Sequence, residues 1–327
     1  MRNANINDTW NGYKLRKLAE RLLLKKNGSG GTVTEAASLL SYLWKRVLRI
    51  YPAFIVAFIL SIVVVGPLAG ADMSALKGAG WIKQLVYMLV LAYPRLPNAF
   101  AGLPYPLLNG SMWTIPYEFR CYILIAILGL LGMLRRKVLF GVTLIALLLI
   151  SAFLTVRNSV PTMLTNLTGY PEGTLRFSTI FISGSAFYIF RGAISYRNDL
   201  ALIAAILLVG LLFNHATEEL AMPTLGAYLI FWFAFLKNTP SLNRINSSTD
   251  VSYGIYLYAW PIQNLAIKII PGISPLIVII LTTIAGTMLA SLSWHLIEKP
   301  SLSLKRSSRR PTDLQQSAAD PRPSNCL

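Results

Sequence analysis

The chain has 327 residues, of which 54% are hydrophobic and only 13% charged, and it carries a formal charge of +17. About a quarter of the residues of a soluble domain are charged, so the composition excludes an ordinary soluble protein. It predicts an all-α membrane protein that crosses the bilayer several times. A nucleic-acid partner is disfavoured, because the basic residues cluster between apolar runs and in both tails, as they do in cytoplasmic loops.

The hydropathy pattern predicts three parts. Residues 1–40 form a polar, basic segment, residues 41–301 a membrane domain, and residues 302–327 a disordered tail rich in Ser, Arg and Pro. Within the membrane domain we predict about eight spans. They lie at residues 51–70, 118–134, 138–155, 174–191, 199–213, 221–236, 251–270 and 275–297.

The apolar run at residues 81–94 is short for a crossing, and we interpret it as a re-entrant or interfacial helix on the outer side. The alternative is a true crossing that is paired with a second, missed one. The remaining connections alternate, since every second one is basic. The positive-inside rule places the basic connections in the cytoplasm, and an even number of spans then places both termini there.

A first candidate site precedes the first span. Lys45 and Arg46 precede Arg49 by four and three residues, so both lie on the side of a helix that carries Arg49. Three cations at a helix end can bind a phosphorylated ligand, and arginine offers a bidentate fork. The alternative, which spacing alone favours, is a plain positive-inside anchor.

A second candidate site is the stretch 109–122, NGSMWTIPYEFRCY, at the outer end of a span. Thr114 and Pro116 suit a helix start, which places Glu118 in the first turn, where the helix dipole favours an anion. A carboxylate near lipid usually has a partner or a function. The alternative is that Glu118 only caps the helix and pairs with Arg120 or Tyr122.

A third candidate site is the stretch 252–261, SYGIYLYAWP, in which Tyr253, Tyr256 and Trp260 form one stripe along a helix. We call these three residues the aromatic stripe. Phenol and indole groups suit a sugar ring, since they stack on its apolar face and bond its hydroxyls. The alternative is an interfacial aromatic belt.

The last candidate segment, WHLIEKP at 294–300, holds His295 and Glu298 three residues apart. Lys299 and Pro300 predict the end of the helix. The other histidine, His215, is predicted to be a solvated residue of an outer loop. Neither these histidines nor the two cysteines, Cys121 and Cys326, have metal-ligand spacing, so no metal site is predicted.

Taken together and in this order, the four segments resemble acyltransferase family 3, a family of integral membrane O-acyltransferases. KRVLRIYP is similar to its basic-RxYP segment and NGSMWTIPYEF to its N-x-S-x-W-(S/T)-x-x-x-E segment. DVSYGIYLYAWPI is similar to its (D/L)-S-Y-G-I-Y-L-Y-x-x-P segment, and HLIEKP to its terminal (I)-E-(K/R)-P. The resemblance runs from about residue 41 to residue 306.

The resemblance implies transfer of an acyl group, commonly acetyl from acetyl-CoA, to a sugar hydroxyl of a surface polysaccharide or lipopolysaccharide in the bacterial inner membrane. Acyl-CoA is then a donor substrate, no cofactor is bound, and the partners are the lipid bilayer, acyl-CoA and the glycan acceptor. Glu118 is the expected carboxylate of the catalytic region. Donor binding falls to Lys45, Arg46 and Arg49, and acceptor binding to Asn109, Ser111, Trp113, Tyr253, Tyr256 and Trp260.

The family has about ten spans and a catalytic histidine in the first one, in an R-x10-H arrangement. Upstream of Lys45 the chain has no such pair, so we expect it to lack the first two spans. Transfer is then expected to be slow, since loss of a general base costs about 10²–10⁴-fold. The competing class is a transporter or flippase for a glycan or lipid-linked sugar, which inverted repeats or midplane charges would indicate.

Overall fold

The structure, a computed structural model, is built from helices. It describes residues 31–157, 171–235 and 249–307, and no β-strand occurs in those ranges. The prediction of an all-α fold is therefore confirmed for the described part of the chain. Residues 1–30 and 308–327, where most of the predicted basic segment and most of the predicted tail fall, lie outside the described residues.

The helices follow one another along the whole described chain. They are α1 (Gly31–Leu60), α2 (Gly66–Leu68), α3 (Gly80–Leu89), α4 (Ile115–Leu130), α5 (Lys137–Arg157), α6 (Pro171–Ile189), α7 (Asn198–Leu211), α8 (His215–Ala221), α9 (Ala227–Ala234), α10 (Ser252–Ile269), α11 (Pro275–Ser293) and α12 (Lys299–Ser307). Short π-helical turns at Ser61–Val65, Met222–Gly226 and Trp294–Glu298 join three pairs of them. Single 3₁₀ turns lie at Met73–Leu76, Gly110–Thr114 and Met133–Arg135.

The chain forms two compact units. The first contains Met1–Leu43 and Ile115–Ile245, and the second contains Trp44–Thr114 and Asn246–Leu327. The second unit is thus assembled from two separate stretches of sequence. It holds every candidate segment except the part of NGSMWTIPYEFRCY from Ile115 onward, which belongs to the first unit.

Four helical stretches among the described residues are long and apolar enough to cross a membrane. They are Leu39–Leu68, Gly110–Leu130, Lys137–Leu154 and Pro275–Leu304. Each overlaps one predicted span, although Leu39–Leu68 begins 12 residues earlier than predicted and includes Lys45, Arg46 and Arg49. The other four predicted spans fall on helices α6, α7, α9 and α10, of which α7 is apolar but only 14 residues long. The described residues therefore provide four candidate spans, and the prediction of eight is not confirmed.

The run at residues 81–94 does not form a straight crossing. Helix α3 has 10 residues, which at about 1.5 Å per residue gives about 15 Å, half of the hydrocarbon thickness. The chain then turns back: Leu91 adopts a left-handed φ of 60°, and the buried Gln84 amide donates to the Arg95 carbonyl at 2.7 Å. A short helix that is followed by a reversal has the form expected of a re-entrant or interfacial element.

Two details of the predicted secondary structure are wrong. The helix does not end at Lys299 and Pro300, because α12 begins there. Proline is tolerated in the first turn of a helix, where its missing N–H has no intrahelical acceptor, and the preceding π-helical turn absorbs an extra residue. The stretch around His215 was predicted as a loop, but it forms α8.

In the second unit, small residues let α10 and α11 pack closely. A Cβ added at Gly254 would lie 2.8 Å from the Cα and Cβ of Ala290, so the two backbones can approach only because this position has no side chain. At the other end of α10, the Lys268 ammonium donates to the carbonyl of Ala69 at 2.5 Å. Helix α10, which carries the aromatic stripe, is therefore held at both ends.

Candidate active site

Charged side chains from three of the sequence segments meet in the second unit. Arg49 of α1 forms an ion pair with Asp250, with Nη2 3.1 Å from Oδ2. The other carboxylate oxygen of Asp250 accepts a hydrogen bond from the Ser252 hydroxyl at 2.6 Å. Because Ser252 begins α10, this contact fixes the carboxylate just before that helix. Asp250 in turn orients the guanidinium.

Glu298 adds a buried carboxylate to the same group. It is 6% exposed and ends the π-helical turn Trp294–Glu298, and it accepts a hydrogen bond from the Ser293 hydroxyl at 3.3 Å. The charge of Arg49 attracts this carboxylate, whereas that of Asp250 repels it. Arg49 therefore offsets part of the unfavourable burial of the carboxylate. We call Arg49, Asp250, Ser252, Ser293 and Glu298 the Arg49 cluster.

The other two predicted donor-binding cations lie beside this cluster in the sequence. Lys45 and Arg46 are on α1, within about one turn of Arg49, and both are partly exposed. The structure thus places all three cations on one helix, as predicted. It also shows that Arg49 is paired with a carboxylate, that of Asp250, which offsets part of its positive charge. Their role in donor binding stays a prediction.

The aromatic stripe bonds to backbone carbonyl groups of other segments of the second unit. The Tyr253 hydroxyl donates to the carbonyl of Ile50 at 3.2 Å, and the Trp260 indole N–H donates to that of Leu107 at 3.0 Å. The Tyr256 hydroxyl donates to the Ser111 carbonyl. The polar atoms of the stripe therefore position two of the other sequence segments, a role that the periodicity of the aromatic residues did not predict.

Four further contacts fix the segment at residues 109–114. The fully buried Asn109 donates through Nδ2 to the Leu257 carbonyl at 2.9 Å and to the Ser61 hydroxyl at 3.3 Å. A Cβ added at Gly110 would lie 2.5 Å from ring atoms of Trp260, so the backbone rests directly on the indole. Thr114 Oγ1 lies 2.5 Å from the Tyr256 hydroxyl.

The predicted acceptor residues thus divide by exposure. Asn109 is fully buried, and its hydrogen bond to Leu257 joins the segment at residues 109–114 to α10. Trp113 is 51% exposed and Tyr256 is 37% exposed, so these two aromatic side chains present the largest accessible area of the predicted acceptor set. Whether they bind a sugar stays a prediction.

Glu118 lies in the first unit, in the first turn of α4, as the sequence predicts. Its Oε1 accepts a hydrogen bond from the Tyr122 hydroxyl at 2.5 Å. Arg120 bonds instead to Thr174 Oγ1 at 3.2 Å and stacks over the Tyr117 ring at 5.3 Å. Of the two partners that the sequence left open for Glu118, the structure shows Tyr122. The carboxylate is half-buried, held at a helix start and partly accessible.

His295 and Glu298 bond to different partners, so they do not act as the pair that their spacing allows. Nδ1 of His295 lies 2.8 Å from the Ser291 carbonyl, whereas Glu298 bonds to Ser293. Among the described residues, no group of three or more His, Cys, Asp or Glu side chains could hold a metal ion.

Sequence reasoning missed most of the Arg49 cluster. Asp250 and Ser252 lie in the segment DVSYGIYLYAWPI, whose pattern predicts no role for them, and Ser293 lies outside all four segments. One signal was available: the chain has only 13 acidic residues, so an acidic residue next to each of two apolar helices is unusual enough to suggest a basic partner.

The described residues form helices, four stretches of which are long and apolar enough to cross a membrane, and this architecture defines the class of multi-pass helical membrane proteins. The model of one family, described as an acyltransferase domain, matches residues 29–295, and the chain therefore belongs to acyltransferase family 3. It is also similar to an O-acetyl transferase of Shigella phage Sf6, with 23% identity over 280 residues, which cover 83% of this chain and 81% of that relative. No solved structure matches the chain.

Proposed function

We propose that the protein is a membrane-bound O-acyltransferase that moves an acyl group, in the first instance acetyl, from acyl-CoA to a sugar hydroxyl of a cell-surface polysaccharide or lipopolysaccharide. Family membership supports O-acyl transfer, and the phage relative's activity supports an acetyl group. The structural observation that carries the proposal is the Arg49 cluster, in which Asp250 holds the guanidinium of Arg49. Two further cations, Lys45 and Arg46, lie on the same helix.

The donor is assigned to Lys45, Arg46 and Arg49. CoA carries a diphosphate and a further phosphate, and arginine binds such groups through two parallel N–H donors. Asp250 holds the guanidinium of Arg49 at 3.1 Å, which reduces the freedom that this side chain would lose on binding. Because the cations precede a predicted span on its cytoplasmic side, the donor is taken from the cytoplasm.

The acceptor is assigned to the segment at residues 109–114 and to the aromatic stripe. Trp113 and Tyr256 offer exposed aromatic surface on which a sugar ring can stack. Asn109 and Trp260 hold this segment in place through bonds to Leu257 and Leu107.

In the reaction, the sugar oxygen attacks the thioester carbonyl carbon, so an ester C–O bond forms and the C–S bond breaks. The hydroxyl proton passes to a water molecule, and the CoA sulfur leaves as a thiolate and takes up a proton. Glu118 is assigned as a carboxylate that orients a reacting hydroxyl, because the Tyr122 bond fixes one of its oxygens.

The proposal includes a topology. The chain crosses the bacterial inner membrane about eight times, with both termini in the cytoplasm, and the acyl group passes from the inner to the outer side. The alternation of basic and less basic connections in the sequence supports this arrangement.

A complementation assay tests the assignment. Cells that lack glycan acetylation are supplied with the wild-type chain, Glu118→Gln or Arg49→Ala, and acetyl groups on the isolated glycan are measured. Both variants are expected to lose at least about tenfold of the acetylation, while Arg191→Ala, an exposed arginine stacked on Tyr188 at 4.5 Å, keeps it. Unchanged acetylation by both variants would overturn the residue roles. Absence of CoA binding by purified protein, together with glycan transport, would favour a transporter.

A further inference from the structure

A depression on the second unit lies next to the predicted acceptor segment and has no role in the assignment above. Its volume is about 210 Å³, below the range of about 300–1,000 Å³ that is typical of pockets for drug-sized ligands. It therefore fits one group of a larger ligand. Its lining residues are Tyr93, Pro94, Arg95, Leu96, Pro106, Leu107 and Leu108.

Arg95 is the charged residue of this lining, and it is held on two sides. Its guanidinium carbon lies 4.7 Å from the ring centre of Tyr93 and 5.3 Å from that of Tyr87. Its backbone is held by the buried Gln84, which donates to the Arg95 carbonyl at 2.7 Å and accepts from its N–H at 3.4 Å. Two stacking rings and an anchored backbone preorganise the cation, which lowers the entropy lost when a ligand binds.

The surroundings of Arg95 favour an anion. None of the ion pairs found among residues 31–157, 171–235 and 249–307 includes Arg95. Lys83 adds a second cation, with its ammonium 5.9 Å from the centre of the same Tyr87 ring. Residues 71–117 hold three basic residues and one acidic residue. A preorganised guanidinium with a cation nearby is suited to a carboxylate or a phosphate.

The lining of the depression adjoins the acceptor segment in the sequence and contacts the aromatic stripe. Leu107 and Leu108 line it and directly precede Asn109. The Leu107 carbonyl accepts the Trp260 indole bond at 3.0 Å, and the Tyr105 ring meets the Trp260 ring edge-on at 6.2 Å. A ligand that reached the aromatic stripe could thus extend into the depression without leaving the second unit.

We propose that this depression binds an anionic group of the glycan acceptor, a uronate carboxylate or a sugar phosphate, and that Arg95 is its main contact. The inference rests on the proposed function, since it names a charged acceptor for the same transfer. A phospholipid headgroup offers the same phosphate chemistry, and the exposed apolar side chains Trp81, Ile82 and Leu85 of α3 make a lipid the competing source of the anion.

The test uses the full-length protein in nanodiscs and a matched pair of probes, a short oligogalacturonate and its carboxyl-reduced, neutral form. Binding and acetylation of both probes are measured for the wild type, Arg95→Ala and Arg95→Lys. Arg95→Ala is expected to weaken binding of the acidic probe about tenfold, as about 1.4 kcal/mol would, and to leave the neutral probe and the KM for acetyl-CoA unchanged. Arg95→Lys keeps the charge but loses the fork, so it should recover part of the loss.

Arg191→Ala is the control, because it removes an exposed arginine that stacks on a tyrosine outside the depression, and it should change neither probe. Inorganic phosphate should compete with the acidic probe for the wild type only. Equal effects of Arg95→Ala on both probes, or none on either, would overturn the proposal. The proposal would also be overturned if Arg95→Ala had an effect in phosphatidylglycerol nanodiscs but none in phosphatidylcholine nanodiscs, since the anion would then be a lipid. If the wild type binds the acidic probe through Arg95 but acetylates no acceptor, the proposed function fails and the site stands.

Discussion

At the scale of single residues, Asp250 decides how Arg49 can act. A solvent-exposed guanidinium samples many orientations, and only one of them suits bidentate binding of a phosphate. The carboxylate at 3.1 Å limits that freedom, but it also offsets the positive charge that attracts phosphate. The two effects have opposite signs. Orientation should dominate, because the pair is partly exposed, with 42% and 27% of the two side chains accessible, and water screens the charge.

Replacement of Asp250 by Asn therefore should raise the KM for acyl-CoA about tenfold, which corresponds to about 1.4 kcal/mol, with a smaller change in kcat. An exposed ion pair contributes at most about 1 kcal/mol to folding, so the yield and thermal transition of the purified variant should stay close to those of the wild type. Steady-state kinetics with varied acyl-CoA at saturating acceptor measures the split between KM and kcat.

Asp250→Glu keeps the carboxylate and should restore most of the donor affinity, whereas a variant that merely misfolds would not be rescued by the longer acid. A KM for acyl-CoA that falls in Asp250→Asn would contradict the positioning role, because Asp250 would then act only by weakening the positive charge.

At this scale the sequence predicted the local placement of side chains on helices better than the contacts between side chains that are distant in the chain. Three cations on one helix and Glu118 in a first turn follow from local spacing, since residues three or four apart share a helix face. The partner of Arg49 lies 201 residues away. No local period can identify such a contact, because it depends on how the two stretches of the second unit pack.

At the scale of elements, π-helical turns hold side chains at the candidate site. Three such turns occur in the described residues, and two of them are in the second unit. Ser61 lies in the first, where it accepts from Asn109, and Glu298 ends the last. An extra residue in a helical turn shifts the following side chains around the helix axis, which is one reason why such turns are frequent at functional sites. The hydropathy pattern cannot show a one-residue shift, so the prediction that the helix ends at Pro300 was wrong.

Gly110 allows the segment at residues 109–114 to contact α10 closely. Gly110→Ala places a methyl group 2.5 Å from ring atoms of Trp260, so the segment at residues 109–114 must shift away from α10. Overpacking of this kind costs about 1–3 kcal/mol. We expect a lower thermal transition in detergent and a loss of acetylation, both measured on the purified variant.

Trp260→Phe removes ring atoms that Gly110→Ala would strike, at the cost of the indole bond to Leu107. The double variant should therefore be more stable than the sum of the two single changes predicts, since neighbouring sites couple by about 0.5–3 kcal/mol. Strict additivity would show that Gly110 acts through something other than the indole. Gly192→Ala, at a position where an added Cβ meets no atom within 4 Å, is the matched control.

At the scale of the whole molecule, membrane topology connects the donor and acceptor assignments. The described residues contain four stretches that can cross by length and composition. The remaining helices are shorter or less apolar, so composition alone does not assign them to the membrane. The distribution of basic residues does not depend on helix length. It predicts that Arg136 lies on the cytoplasmic side of the membrane and Ser74 on the outer side.

Cysteine accessibility tests this topology in intact cells. In a background with Cys121→Ser and Cys326→Ser, Ser74→Cys should react with a membrane-impermeant maleimide, since Ser74 follows the predicted outer end of the first span, within the 3₁₀ turn Met73–Leu76. Arg136→Cys should react only after the cells are permeabilised, because its connection is predicted to be cytoplasmic. The chain with only Cys326 present should behave like Arg136→Cys, which reports the side of the C-terminus separately. The reverse labelling of Ser74→Cys and Arg136→Cys would place the donor cations outside, where acyl-CoA is absent, and would overturn the transfer from inside to outside.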